Sequence, residues 1–348
     1  MGRRILVTGL GTFWGGRIAQ ALEADPSVDI IVGLDTRPPS VELERTEFVR
    51  VDENYSILAR IVKATQVDTI VHTFLVVNSD QMRARAMHEI NVIGTMNLFA
   101  AASAAGSTVR NVVVKSSSLV YGSAVGDPTW FSEDTPRTHP PRNRVERSLL
   151  SVEGYVHDFA EDNPHVNVSL LRFSNVLGAD KVTPLSKLLE LPVVPSIFGF
   201  DPRLQFVHEH DVIRAVLFVL DHEVPGIYNV AGDGLLPWSE VAKICAKRTV
   251  PLPPLGTTMA SIPFKVLGAV SLNDETLDLL RYGRGIDNRR LVGTGFRYDY
   301  TSAGTVRAFA EAMRLRNTVG DHQPSYRYES DVEQFFRHSP AVVRDQHA

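Results

Sequence analysis

Glycine residues cluster directly after the first apolar run of the chain. The run Ile5 to Thr8 has the character of a strand, and Gly9, Gly11 and Gly15 follow it before helical spacing begins at Arg17. Glycine lets the backbone approach a pyrophosphate closely, while the free amides and positive dipole of a helix start stabilise its negative charge. This first βα unit therefore predicts a dinucleotide-binding turn.

A carboxylate stands at the end of the next apolar run. Asp35 follows Ile31 to Leu34, where its oxygens can accept hydrogen bonds from the hydroxyls of an adenosine ribose. The same charge repels a 2'-phosphate, so NAD is favoured over NADP, although Arg37 could neutralise that phosphate and leaves NADP open. Asp52 and Glu53 could meet the adenine amino group, or they are ordinary loop charges.

The elements that must position these residues alternate between two kinds. Short runs rich in valine and isoleucine occur at Ile5 to Thr8, Ile30 to Leu34, Thr69 to His72, Val112 to Lys115 and Val168 to Leu171. Segments of helical period lie between them, at Arg17 to Glu23, Asn91 to Ala105 and Glu146 to Ala160. Apolar strands alternating with helices are typical of a parallel sheet covered on both faces, so the predicted fold class is α/β, doubly wound.

The alternation loosens after about residue 178, where prolines become frequent. We expect a nucleotide-binding domain over residues 1–178, with elements from about 204–232 returning to it. Residues 179–203 and 233–316 are expected to form a smaller, C-terminal substrate-binding lobe. Residues 317–348 are polar and predict a loosely packed tail with a short helix near Val332 to Phe336.

Composition excludes several classes of protein. Of the 348 residues, 44% are hydrophobic and 22% charged, which is typical of a globular protein. The net charge of -4 gives no excess of cations for a nucleic acid partner, and the single cysteine, Cys245, excludes an intramolecular disulfide and a Cys-based zinc site. No apolar run is long enough for a membrane span or a secretory signal, so we expect a cytoplasmic protein.

Further motifs share their order and spacing with one protein family. They are Val71-His-Thr73, Asn91-Val-Ile-Gly-Thr95, Ser116-Ser-Ser-Leu-Val-Tyr-Gly122, Leu171-Arg-Phe-Ser-Asn175, Phe206-Val-His-Glu-His-Asp-Val212 and Ile227-Tyr-Asn-Val-Ala-Gly232. From residue 3 to about 315 the chain resembles the extended short-chain dehydrogenase/reductases, and among them the UDP-glucose 4-epimerase-like proteins of the NAD-dependent epimerase/dehydratase family. The resemblance implies a Rossmann-type sheet that binds NAD and a smaller lobe that binds a small molecule such as a nucleotide-sugar.

The same resemblance assigns cofactor contacts residue by residue. Pyrophosphate contacts would come from Gly9, Gly11, Thr12, Phe13, Trp14 and Gly15. Asp35 would hold the adenosine ribose, and Asp52 and Glu53 the adenine. Thr73 to Leu75 would pass beside the cofactor, and Asn91 would occupy a structural and proton-relay position. The turn departs from the family pattern Gly-x-x-Gly-x-x-Gly because Thr12 takes the middle place.

The catalytic residues of the family are only partly present. Ser117 stands where the family has a serine that orients the substrate hydroxyl. The family also has a proton-transferring tyrosine and, four residues later, a lysine, but Arg142 and Glu146 occupy those positions here. Arginine does not exchange protons near neutral pH, and glutamate reverses the local field, so the usual Tyr-x-x-x-Lys chemistry is absent.

Other groups could replace the missing pair. Candidates for proton transfer are Tyr121, Tyr155, His139 and His157, and candidates for binding an anionic substrate are Arg142 and Arg144. Each has a plainer interpretation: Tyr121 belongs to the family's Val-Tyr-Gly turn, Tyr155 lies far along its helix, and a histidine in a proline-rich loop is usually solvated.

The smaller lobe carries candidate substrate contacts. Asn175 stands where the family directs an asparagine toward the substrate phosphate, and Arg203 is one residue displaced from a phosphate-binding arginine. Arg281 or Arg284 could supply a second guanidinium, which suits bidentate contact with phosphate. Surface salt bridges explain the arginines equally well. His208 and His210 have no further ligand at diagnostic spacing, so we expect no metal.

Two functions follow from these residues. The first is an NAD-dependent epimerase, dehydratase or oxidoreductase with a rearranged acid/base set, and we favour it. The second is a catalytically inactive NAD(P)-binding sensor or protein-interaction scaffold, because the missing tyrosine and lysine count only against the enzyme. A homodimer is possible by resemblance, since the helices Asn91 to Ala105 and Val145 to Phe159 pair subunits in relatives.

Overall fold

A computed structural model of the chain describes residues 2–51, 54–78, 82–254, 272–315, 327–329 and 332–343. The elements of the first half are β1 (Arg3–Thr8), α1 (Phe13–Glu23), β2 (Val28–Asp35), β3 (Glu47–Arg50), α2 (Tyr55–Thr65), β4 (Thr69–His72), α3 (Ala84–His88), α4 (Gly94–Ala102), β5 (Asn111–Ser117), β6 (Trp130–Phe131), α5 (Arg144–Asp162) and β7 (Asn167–Phe173). A π-helical turn (Glu89–Ile93) joins α3 to α4, and a 3-10 turn (Ser118–Tyr121) follows β5.

The second half has shorter strands. Its elements are β8 (Asn175–Leu177), α6 (Pro184–Glu190), β9 (Val193–Ile197), β10 (Arg203–Leu204), β11 (Phe206–His208), α7 (Glu209–His222), β12 (Gly226–Val230), β13 (Leu236–Pro237), α8 (Trp238–Ile244), β14 (Arg248–Leu252), α9 (Asp274–Tyr282), β15 (Gly285–Ile286), α10 (Arg289–Gly293), α11 (Ser302–Leu315), β16 (Arg327–Glu329) and α12 (Val332–His338).

Eight parallel strands form the central sheet, in the order β12-β7-β5-β4-β1-β2-β3-β16. Successive side chains of the strand β1 enter different cores: Leu6 packs toward α2, α4 and α5, whereas Val7 packs toward α1 and α7. Strands buried on both faces explain the continuous apolar runs of the sequence. The predicted doubly wound α/β fold class is therefore confirmed.

The strand order reverses at β1, which has β2 on one side and β4 on the other. Ligands of open α/β sheets bind in the crevice at such a reversal, beyond the carboxyl ends of the strands. Thr8, Asp35, His72 and Ser117 end the strands that border this crevice. A separate apolar cluster, which includes Leu188, Leu204, Trp238, Leu280 and Phe309, forms the core of the C-terminal part beside it.

The tail differs from the expectation of loose packing. Its strand β16 extends the sheet by pairing with β3, and Phe335 of α12 is fully buried in the same core as α2. The Arg4 guanidinium also donates a hydrogen bond to the Ala341 carbonyl. The polar composition concealed a short apolar stripe, Val332, Phe335 and Phe336, whose helical spacing turns it toward the sheet. The described part of the tail is thus integral to the fold.

Candidate active site

One cavity of about 770 Å³ lies over the carboxyl ends of the strands. Its walls come from the glycine turn, Asp35, the segment after β4, the end of β5, and the C-terminal part of the chain. The cavity therefore brings part of the predicted cofactor set, Gly11 to Trp14, Asp35 and Thr73, into one space with Ser117. No described helix has the length and apolar character needed to cross a membrane.

The glycine turn is closely packed. Gly9 has a φ of +75°, and a Cβ on it would lie 2.6 Å from the Cβ of Phe74. A Cβ on Gly15 would lie 2.1 Å from the Gly9 carbonyl oxygen. Both positions require glycine because no side chain fits between the turn, the start of α1 and the segment after β4.

Thr12 explains how the turn tolerates a side chain in its middle position. Its Oγ1 donates to the Gly9 carbonyl at 2.7 Å and accepts from the Gly15 amide at 3.1 Å, so it caps α1. The amides of Phe13 and Trp14, which come first in the helix, have no hydrogen-bond acceptor among the described residues. The turn thus keeps two free amides toward an anion.

Asp35 is held in place by the backbone of the turn. Its Oδ2 accepts from the Gly11 amide at 3.0 Å and its Oδ1 from the Arg37 amide at 2.9 Å. Oδ1 also accepts from Thr36 Oγ1 at 3.4 Å, whereas Oδ2 keeps a further lone pair for a hydroxyl donor. Asp35 and Arg37 both line the cavity. The predicted adenine contacts, Asp52 and Glu53, lie outside the described residues.

Asn91 positions the cavity wall from behind. Its side chain is fully buried, and its amide accepts from the Val76 N–H at 2.7 Å and donates to the Val76 carbonyl at 2.8 Å. The same amide donates to Ser148 Oγ. Thr73 and Val76 line the cavity, whereas Asn91 does not. The predicted cofactor role of Asn91 is therefore indirect: it fixes the segment that contacts the cavity.

Ser117 lines the cavity at the end of β5, where its Oγ accepts from the Leu119 amide at 3.2 Å. Glu146, in the family's lysine position, is 3% exposed and forms an ion pair with Arg137 at 2.6 Å. It also accepts from the Arg142 amide and from Asn143, the N-cap of α5. Neither Arg142 nor Glu146 lines the cavity. The missing catalytic pair is thus replaced by a structural cap.

The four replacement candidates also lie outside the cavity wall. The Tyr121 hydroxyl donates to Asn229 and accepts from Arg172, and burial raises its pKa above the ordinary value. Tyr155 and His157 are exposed on α5, and His139 lies beside Asp127. Their positions give them no direct access to a ligand in the cavity.

Two lysines that sequence reasoning missed do line the cavity. Lys115 lies on β5, two residues before Ser117 and on the same face, and is 6% exposed. Burial, with the nearby charge of Lys181, lowers the pKa of Lys115 to about 7. Burial lowers the pKa of Lys181 to about 8. The sequence signal for Lys115 was a lysine at the end of the apolar, strand-like run Val112 to Lys115, where a charged side chain is unusual.

The predicted substrate residues separate in the structure. Asn175 lines the cavity and donates to the Gln205 carbonyl, whereas Arg203 is exposed and, like Arg281, does not line it. Arg284 is the arginine that reaches the cavity from this side. It donates to the Gly122 carbonyl at 2.9 Å, and burial lowers its pKa to about 10.

The buried Nε of Arg284 has no hydrogen-bond partner within the described residues. A buried guanidinium N–H without an acceptor is costly unless a ligand or water completes it. The geometry therefore favours Arg284 over Arg203 and Arg281 as the cation for an anionic ligand.

In the described part of the chain, one group of potential metal ligands lies away from the cavity: side-chain ligand atoms of His210, Asp211 and Asp299 are within 4.8 Å of one another. Arg214 donates to both carboxylates, at 2.8 Å to Asp211 and 2.9 Å to Asp299. Asp211 also accepts the amides of Asp299 and Tyr300. These contacts tie the start of α7 to the chain near Asp299 and already supply the counter-charge.

The strand order, glycine turn and cavity define a Rossmann-type protein of the extended short-chain dehydrogenase/reductase class. The model of the NAD dependent epimerase/dehydratase family matches residues 5–231, and the chain belongs to this family. It is 35% identical to an uncharacterized protein of Mycobacterium tuberculosis over an alignment of 318 residues. This alignment covers 90% of this chain and 84% of that protein.

Solved structures show the same fold. MoeE5 in complex with UDP-glucose and NAD is similar with a TM-score of 0.69 and 22% identity, over 90% of this chain and 100% of that one. A dTDP-glucose 4,6-dehydratase from Streptomyces venezuelae, solved with NAD bound, is similar with a TM-score of 0.67 and 23% identity, over 90% and 98% of the two chains.

Proposed function

We propose that the protein binds NAD and acts on a nucleotide-sugar or a related small substrate with an acid/base set unlike the family's. The observation that carries the proposal is the cavity itself, which joins Asp35 and the glycine turn to Ser117 and to Arg284. Bound NAD would supply a reversible hydride acceptor. A space that connects a dinucleotide turn to an anion-binding wall suits a cofactor and a phosphorylated substrate together.

The turn residues fit the cofactor. Asp35 would accept hydrogen bonds from the adenosine ribose, and the free amides of Phe13 and Trp14 would donate to the pyrophosphate. The carboxylate favours NAD, while Arg37, which also lines the cavity, keeps NADP as the alternative. The NAD-bound structures of similar fold support this choice.

The opposite wall fits a nucleotide-sugar. Arg284 and Asn175 both line this wall, and the buried Nε of Arg284 has no hydrogen-bond partner among the described residues. Planar guanidinium groups recognise phosphate well. Ser117 would orient a substrate hydroxyl between the two walls. Substrate roles for Arg203 and Arg281 stay predictions, as does a homodimer through α4 and α5.

A second candidate is a catalytically inactive NAD-binding sensor or scaffold. Within the described cavity wall there is no tyrosine and no histidine, and the Glu146 carboxylate is engaged by Arg137, the Arg142 amide and the Asn143 side chain. These facts remove the family's proton-transfer route while leaving the cofactor contacts intact. Binding of NAD without turnover is the behaviour that this alternative predicts.

Turnover separates the two candidates. Purified protein is mixed with NAD and a panel of UDP- and dTDP-hexoses, and products are resolved by chromatography while reduced nicotinamide is followed by absorbance. We expect the wild type to convert at least one sugar and Ser117→Ala to lose this conversion. The control Ser151→Ala, at an exposed serine, should convert the sugar as the wild type does. NAD binding without conversion of any sugar would favour the sensor.

A further inference from the structure

Two lysines enter the cavity from different elements of the fold. Lys115 projects from β5, and Lys181 from the loop after β8. The Lys181 ammonium lies 5.4 Å from the ring centre of Phe13 and 5.2 Å from that of Trp14, which are the first two residues of α1. These cation–π contacts hold one ammonium over the glycine turn. Lys115 is close enough to Lys181 for the two ammonium charges to repel each other.

The charge of this pair is only partly offset within the described residues. No described carboxylate forms an ion pair or hydrogen bond with the Lys115 ammonium. Glu209 attracts Lys181 and also accepts the amides of Asp180 and Lys181, so this one carboxylate offsets part of the charge of the two lysines. The Asp180 carboxylate in turn pairs with Arg17. A buried lysine without a counter-ion is costly, which makes it a candidate for ligand binding.

His72, which lies beside Lys115, does not offset the charge of that lysine. His72 is fully buried on β4, with Nδ1 at 2.8 Å from Thr8 Oγ1 and Nε2 at 2.9 Å from Thr95 Oγ1. Burial, with the charge of Lys115, lowers the pKa of His72 to about 3, so the ring is neutral. His72 therefore adds no charge here, and both the two ammonium groups and the dipole of α1 favour a bound anion at the start of that helix.

We propose that Lys115 and Lys181, with the free amides of Phe13 and Trp14, form a two-ammonium site that binds a diphosphate ester. This inference rests on the proposed function, because the dinucleotide is its first expected ligand. Both a dinucleotide and a nucleotide-sugar contain a diphosphate. The position of Lys181 over the rings of α1 favours the dinucleotide.

Binding at this site should take up protons. A diphosphate favours the charged form of each lysine, so it raises both pKa values above the values of about 7 and about 8 in the free protein. The affinity gained is full below these free-state values and is lost as the pH rises through the higher values of the complex.

Other charged groups face the same space. Those on the cavity wall are Asp35, Arg37, Glu275 and Arg284, and those packed behind the lysines are His72, Glu209, Asp180 and Arg17. Among the described residues the wall has no other lysine and no histidine. Proton uptake between about pH 7 and 9 would therefore report on the pair.

Calorimetric titration of the full chain tests the site. ADP-ribose, which has the diphosphate but lacks nicotinamide, is titrated at about pH 8 in two buffers of different ionisation enthalpy, and NAD and UDP are titrated in parallel. The variants are Lys115→Met and Lys181→Met. Lys187→Met is the control, because it is the same substitution at a lysine that lies exposed on α6 and does not line the cavity.

We expect the wild type to bind ADP-ribose with proton uptake. Each cavity variant should bind about tenfold more weakly with reduced uptake, and Lys187→Met should bind as the wild type does. Thermal unfolding checks that the variants are folded. We expect the Tm of each cavity variant to be no lower than that of the wild type, because each substitution removes a costly buried lysine. Wild-type affinity in both variants, or binding without proton uptake, would overturn the proposal.

The remaining outcomes distinguish failure of the two-lysine site from failure of the proposed function. If the lysines affect UDP and not ADP-ribose, the site holds the substrate diphosphate and the dinucleotide assignment is wrong. If the folded wild type binds neither NAD nor ADP-ribose, the proposed function itself fails. If NAD binds equally well to all four proteins, the proposed function stands and the two-lysine site does not.

Discussion

Replacement of Glu146 by glutamine should destabilise the protein strongly. The Glu146 carboxylate is 3% exposed, pairs with Arg137 at 2.6 Å, accepts the Arg142 amide at 2.9 Å and the Asn143 side-chain amide at 2.8 Å. The substitution keeps the shape of the side chain and removes its charge. The Arg137 guanidinium, whose side chain is 14% exposed, then lies largely buried without its counter-ion.

The magnitude follows from the type of contact. Removing one partner of a buried ion pair costs about 3–5 kcal/mol, and the lower end applies here because Arg137 also donates to the Val120 and His139 carbonyls. We therefore expect the free energy of unfolding to fall by about 3 kcal/mol for Glu146→Gln, and by more for Glu146→Lys, which sets two cations together.

Urea unfolding followed by circular dichroism measures this change. Glu161→Gln is the matched control, since Glu161 lies on the same helix with a side chain 67% exposed, and its pair with His157 should be worth less than about 1 kcal/mol. An unchanged midpoint for Glu146→Gln would refute the structural role. It would also reopen the position for catalysis.

This prediction changes how the lost pair should be tested. The double substitution Arg142→Tyr with Glu146→Lys recreates the family's residues, but it reverses the buried charge beside Arg137 and breaks the ion pair of Arg142 with Asp278. We expect it to unfold before it gains activity. Inertness of that variant would therefore report on folding.

Three further changes have defined outcomes. Gly15→Ala should abolish calorimetric NAD binding because its Cβ would lie 2.1 Å from the Gly9 carbonyl oxygen, and unchanged binding would contradict the turn geometry. Asn91→Ala should lower the urea-derived free energy of unfolding by about 2–4 kcal/mol, since it leaves the N–H and carbonyl of buried Val76 unpaired. Phe335→Ala should cost about 3–5 kcal/mol and increase hydrogen exchange in the tail; native-like exchange would show that α12 does not anchor it.

Local patterns in the sequence predicted the sheet and the turn well. Continuous apolar runs reported strands buried on both faces, and the spacing of Gly9 and Gly15 reported a close approach of backbones that the structure shows. Asp35 and Ser117 end strands, so the parallel sheet alone brings them to one edge. Such features depend on the residues themselves and on strand direction.

Features that depend on tertiary contacts were harder to predict. Nothing in the spacing distinguished Arg284, which turns into the cavity after α9, from Arg281, which stays outside it. Lys181 lies in a loop whose course is set by packing against α1. The burial of Phe335 could not be predicted from the polar composition of the tail, because it depends on the sheet edge beside it.

The central claim is that the turn at Gly9 and the carboxylate of Asp35 bind NAD. Calorimetric titration of the purified protein with NAD and NADP tests it most directly, with Asp35→Asn as the variant and Asp29→Asn, exposed at the other end of β2, as the control. We predict micromolar binding of NAD in preference to NADP, weakened in Asp35→Asn alone. Binding of neither nucleotide to the folded wild-type protein would contradict the account.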